Sequence, residues 1–145
     1  MRYAIHLDVV AQKFAVLDAE PFEKGGLEAF AGLFPENPPG ETTLDVTIRT
    51  VAGTEVAIFC DDEGLLRKDS ILSAVTRDGR PILVGSLLIL AAEVDRDGGN
   101  VGLAEDVAKT IVSAAMGVAD TGDGPRLVLV LDPPAPLKPH PAGTL

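Results

Sequence analysis

The sequence predicts an α+β fold: a mostly antiparallel sheet of five or six strands with two helices packed on one face. Three observations predict it. Tyr3–Val9 and Leu44–Ile48 alternate apolar and polar residues with period two, as half-buried strands do. Two other stretches, 27–34 and 107–116, repeat apolar residues at helical spacing. Ile82–Leu90 is apolar nearly throughout, which marks a strand buried on both faces and central in its sheet.

The elements follow in order. Tyr3, Ile5, Leu7 and Val9 form one face of a first strand, with Arg2, His6 and Asp8 on the other. Ala11-Gln12 turns the chain, and Phe14–Leu17 returns as its hairpin partner. Glu20-Pro21 breaks that strand. Leu27, Phe30, Ala31 and Phe34 line one side of a short helix that Pro35 ends, because the residue before a proline avoids the helical region. A Pro-Glu-Asn-Pro-Pro-Gly loop leads to Leu44, Val46 and Ile48, which alternate with Asp45, Thr47 and Arg49. Ala52-Gly53-Thr54 supplies a turn, and Val56–Cys60 returns.

Past the acidic turn Asp61-Asp62-Glu63-Gly64, the apolar positions Leu66, Ile71 and Val75 suit a turn or two of helix, which Asp78-Gly79-Arg80-Pro81 ends. Gly85, inside the central apolar run, marks a bulge or a close backbone approach. Val107, Ala108, Ile111, Val112, Ala115 and Met116 build the second helix, with Glu105 and Asp106 complementing its dipole and Gly117 as its C-terminal cap. Arg126–Leu131 is a last strand, placed at an edge by its charged flanks Arg126 and Asp132.

A chain of 145 residues is one domain's worth. Residues 1–132 are the expected domain. Residues 133–145 hold five of the eleven prolines and are expected to be extended or disordered. A chain this long buries roughly 68–70% of its unfolded surface and needs no disulfide or metal staple. Aromatics make up 4% with no Trp, so the core must come from Leu, Ile, Val and Ala.

Charge and targeting narrow the function. Twelve basic against 22 acidic residues give −10, which argues against a nucleic-acid or anionic-membrane surface. Cys60 is alone, so no disulfide framework exists. Met1–Val10 lacks the apolar core of a secretory signal, and the run Pro81–Ala92 is short of the ~20 residues a membrane helix needs. The expected location is the cytoplasm.

Catalytic and cofactor motifs are sparse. His6 and His140 are the two histidines, too few with one Cys for the three or four ligands of a zinc site. Glu93-Val-Asp95-Arg-Asp97-Gly98 mimics the opening of a calcium loop, but its twelfth position is Ala104 where a bidentate Glu is required. Cys60, at the end of an apolar strand, reads as a buried structural thiol. No Ser sits in an elbow motif, and no glycine-rich phosphate loop is present. The expectation is therefore no catalytic residue, metal or cofactor.

One segment breaks the acidic trend. Residues 65–80 carry Arg67, Lys68, Arg77 and Arg80 against Asp69 and Asp78. Arginine presents a planar fork to phosphate oxygens, so this island is the candidate ligand site, for example for a nucleotide. The alternative is a solvated loop paired with Asp61, Asp62 and Glu63.

The stretch Val56–Leu90 carries a resemblance. A strand ending at Cys60 runs into Asp61-Asp62-Glu63-Gly64-Leu65, and Ile82-Leu83-Val84-Gly85-Ser86-Leu87-Leu88-Ile89 follows. An acidic loop and a helix containing Asp106 complete the pattern. This resembles the domain-of-unknown-function family numbered 3846, small proteins of phages, plasmids and mobile elements, over residues 1 to 118. The chain departs from the family at Arg67-Lys68-Asp69-Ser70, where a Pro-x-Asn is usual, and beyond Asp120. The resemblance implies a mobile-element origin and transfers no catalytic residue.

These readings favour a non-enzymatic accessory protein that binds a host protein, its acidic surface opposing a basic site such as that of a nucleic-acid-binding or defence protein. The alternative is a small-molecule or nucleotide-sequestering protein using the basic island. Exposed strand edges also permit a homo-oligomer by sheet extension.

Overall fold

In the computed structural model, described for residues 1–64, 70–120 and 124–133 (main chain only at Leu27), two sheets share one core. The chain order is β1 (Tyr3–Asp8), β2 (Lys13–Asp18), α1 (Glu20–Lys24), a 3-10 helix (Leu27–Leu33), β3 (Leu44–Val51) and β4 (Thr54–Asp61). There follow β5 (Leu72–Thr76), β6 (Pro81–Val84), β7 (Leu87–Ala91), α2 (Glu105–Ala114), β8 (Met116–Asp120) and β9 (Pro125–Leu131). The larger sheet has the order β2-β1-β7-β4-β3 and is antiparallel throughout. The smaller has the order β6-β5-β9-β8, with β5 and β9 parallel.

The α+β class and the mostly antiparallel pairing hold. The arrangement within that class differs from the expected single sheet with both helices on one face. The alternation of β1, β4 and β7 gives the larger sheet two apolar faces, and both need cover. One face presents Ile5, Leu7, Val56, Ile58, Leu87 and Ile89 to α2 and to Ala74, Leu129 and Leu131 of the smaller sheet. The opposite face presents Ala4, Ala57, Phe59, Leu88 and Leu90 to Phe22 of α1 and to Phe30, Leu33 and Phe34. Phe30 stacks obliquely between Phe22 and Phe59, at 5.4 and 5.2 Å between ring centres. Few aromatics are present, and these three are gathered at one place.

Both predicted hairpins form in register. Tyr3 faces Asp18, and Leu44 faces Asp61. Ala52 and Gly53 turn the second hairpin with φ of 49° and 80°, the left-handed pair that a two-residue turn requires.

Four expectations change. Residues 72–76 are the strand β5, not a helical turn, because β9 supplies a non-local partner. The apolar run 82–90 splits at Gly85 (φ 82°), so that β6 lies in the smaller sheet and only β7 is central in the larger. The second helix stops at Ala114, and Gly117 is not its cap; Ala115 fills that role and Met116 opens β8. β9 is interior, between β5 and β8, and its apolar residues rather than its charged flanks decide its place. Glu20-Pro21 does end β2, but Pro21 then sits in the first turn of α1, where its missing N–H costs nothing. No helix among the described residues is long and apolar enough to cross a membrane.

Candidate functional site

β3 is an edge strand of the larger sheet, and its outer margin gathers the functional side chains. Thr43 accepts the N–H of Asp62 at 2.7 Å, so the main-chain groups of alternate residues from Thr43 point to β4. Those of Leu44, Val46, Ile48 and Thr50 therefore point outward. Thr50 accepts the N–H of Asp132 at 2.9 Å, which fits this alternation and closes one end of the edge. Val46 and Ile48 are 47% and 50% exposed, on the face opposite α2.

The end nearest Asp61 is acidic. Asp45 on β3 and Asp62 and Glu63 in the following turn are exposed. Asp61 is buried, accepting the Asn37 side-chain N–H at 2.9 Å and the Glu63 N–H at 3.1 Å. Cys60 reports the local field. Burial first, and then the charges of Asp45, Asp61 and Asp62, push its thiol from 9.0 up to about 11. It is a buried thiol, as the sequence predicts.

At the other end lies a concavity of about 430 Å³, lined among others by Ile48, Arg49, Glu55, Arg80 and Asp132. Asp132 organises this end. Its carboxylate accepts the Gly53 N–H at 2.8 Å and Arg77 at 3.1 Å. Arg77 and Arg80 of the predicted basic island thus reach one neighbourhood, joined through Asp132. Arg67 and Lys68 lie outside the described residues. Arg49, Glu55 and Asp132 escaped the sequence reading because each sits alone in its own segment; only the pairing of β3 with β4 and the end of β9 unites them. Two acids here face two lining arginines, so the positive balance of residues 65–80 does not carry over to the concavity.

Asp95, the middle of three acids in the segment that mimics a calcium loop, spends one carboxylate oxygen on its own turn, accepting the N–H groups of Asp97 and Gly99 at 2.9 and 2.7 Å. Among the described residues no group of three or more His, Cys, Asp or Glu side chains is placed to hold a metal ion. His6 lies beneath the 3-10 helix, with Nε2 2.8 Å from the Leu33 carbonyl oxygen.

The chain matches no protein-family model, no curated protein and no solved structure. The site must accordingly be read from its own chemistry.

Proposed function

We propose that this protein acts by binding a host protein, with the outer margin of β3 as the contact surface, as an accessory protein of the mobile-element type working in the cytoplasm. The observation that carries the reading is that one edge strand exposes Val46 and Ile48 on one face and Asp45 on the other, with exposed Asp62 and Glu63 in the turn at its Leu44 end. An apolar centre with a charged rim is how protein interfaces are commonly built. The rim sign selects a basic partner, and a net charge of −10 steers it. The outward N–H and C=O groups of Val46 and Ile48 offer main-chain pairing to an extended segment of that partner.

The test begins with the partner captured from the natural host. Its dissociation constant is then measured at low and high ionic strength, for the natural chain and for Asp45→Asn/Asp62→Asn/Glu63→Gln. Affinity should fall with salt, and the triple variant should bind several-fold more weakly with a flatter salt dependence. An affinity indifferent to salt and to these substitutions refutes the reading. Asp61 is left alone because it holds Asn37.

A second reading has one observation in its favour: Arg49 and Arg80 share a concavity large enough for a phosphate group. A nucleotide held there would raise the melting temperature, and Arg49→Ala/Arg80→Ala would abolish the rise. The lining acids Glu55 and Asp132 weigh against an anionic ligand, which places this reading second.

A further inference from the structure

We propose that two copies of the chain pair edge to edge along β3, antiparallel, with Thr47 on the two-fold axis. The pairing does not depend on the host-protein contact, but it uses the same margin. A chain paired in this way has that margin covered, so dimer and host complex exclude each other.

β3 contains a self-complementary run, Asp45-Val46-Thr47-Ile48-Arg49. Turned antiparallel about Thr47, Asp45 falls opposite the second copy's Arg49, Val46 opposite its Ile48, and Thr47 opposite its Thr47. Residues directly opposite in an antiparallel pair share a face of the sheet. Asp45, Thr47 and Arg49 lie on one face of the strand, so both ion pairs form there. Val46 and Ile48 lie on the other, and both apolar pairs form there. The two-fold axis makes every such contact twice.

The main chain accepts this register. The N–H and C=O groups of Val46 and Ile48 point outward, and an antiparallel partner must match outward residues with outward residues. Setting Val46 against the second copy's Ile48 does so, and each such pair exchanges two hydrogen bonds. Asp132, which holds the Thr50 carbonyl, bounds the pairing at that end.

A single chain leaves these groups unused. Asp45 and Arg49 stand four residues apart on an extended strand, about 13 Å, too far to pair with each other. Among the described residues neither has an ion-pair partner. Val46 and Ile48 are half exposed. A second copy gives each charge its opposite and covers both apolar side chains. Two chains of net charge −10 thereby meet along a strip whose own charges cancel.

The other edges lack this match. On β2 the cation Lys13 and the anion Asp18 lie on opposite faces, so no self-pairing sets one against the other. β6 is four residues long and opens on Pro81, which has no N–H to give. β8 carries Asp120 and no cation.

The test is the mass of the full chain by sedimentation equilibrium, from micromolar to near-millimolar loading. A dimer is expected. Asp45→Arg gives both ends of the run a cation, and Arg49→Asp gives both an anion. Each variant alone should raise the dissociation constant about tenfold or more. Mixed in equal amounts, the two should recover a dimer with one chain of each, because every cation then faces an anion. The double variant Asp45→Arg/Arg49→Asp should dimerise like the natural chain. Asp45 is exposed and Arg49 partly so, and circular dichroism and the melting temperature should stay natural in all three. A natural chain that is monomeric at every concentration overturns the proposal. So does a dimer that a folded single variant leaves intact, or a mixture of the two folded variants that stays monomeric. No host protein is present in these measurements, so their failure strikes the self-pairing and leaves the host-protein reading standing.

Discussion

Ser86 grips Glu36 across fifty residues of sequence, donating its N–H to one carboxylate oxygen at 2.6 Å and its hydroxyl to the other at 2.7 Å. The hydroxyl oxygen in turn accepts the Val9 N–H at 3.2 Å, which fixes the direction of its own donation. Ser86 stands where the chain passes from the smaller sheet to the larger, and it is fully buried. Next to Glu36, Asn37 is tied to Thr42 and Asp61, so adjacent residues fasten the proline-rich loop at two places.

Ser86→Ala should therefore cost more than one ordinary hydrogen bond. It removes a charge-assisted bond and leaves the buried Val9 N–H without its acceptor, together about 2–4 kcal/mol. Urea unfolding with an unchanged slope measures this. A loss below about 0.5 kcal/mol would show that the loop is not held this way.

Gly85 makes the grip possible. Its φ of 82° is left-handed, and a Cβ there would lie 3.0 Å from the Glu36 carboxylate. Gly79 has a similar φ of 86° with nothing near. Gly79→Ala should cost the backbone penalty of about 1–2 kcal/mol. Gly85→Ala should cost clearly more, and equal losses in the two variants would refute the contact with Glu36.

Asp132 and Arg77 contribute unequally to their ion pair. The Arg77 side chain is 68% exposed, so Arg77→Ala should change stability by about 0–1 kcal/mol. Asp132→Ala also strips the Gly53 N–H of its acceptor at the β3–β4 turn and should cost about 1–2 kcal/mol more. Thermal melts of the two single variants and the double variant separate the terms. Equal losses in the single variants would place the effect in the ion pair alone.

The Cys60 thiol gives a pH prediction. Raised from 9.0 to about 11, it holds about a hundredfold less thiolate at neutral pH than an unperturbed thiol and should react with thiol reagents correspondingly slowly. The folded state favours the protonated form, so the stability it contributes is whole below pH 9 and declines as pH rises toward 11. Cys60→Ser should flatten the stability profile in that window. A profile unchanged by this substitution would count against the burial of the thiol.

Local pattern determined the two hairpins, the helical face of α2 and the burial of Leu87 to Leu90, because strand alternation and helical periodicity are written within a few residues. The basic island was visible as composition, but not the pairing of Arg77 with Asp132 or the place of Glu55 and Asp132 beside Arg80, because these acids lie far from it in sequence. Tertiary structure alone decided that Leu72–Thr76 is a strand, that β9 is interior and that the 82–90 run serves two sheets. A strand's identity and rank depend on which distant segment offers it N–H and C=O groups, and no window of neighbouring residues contains that partner. The two-sided larger sheet follows from the same physics: once Ile5 and Ala4, or Ile58 and Phe59, are both apolar, each face must find a cover, and only the fold decides which element supplies it.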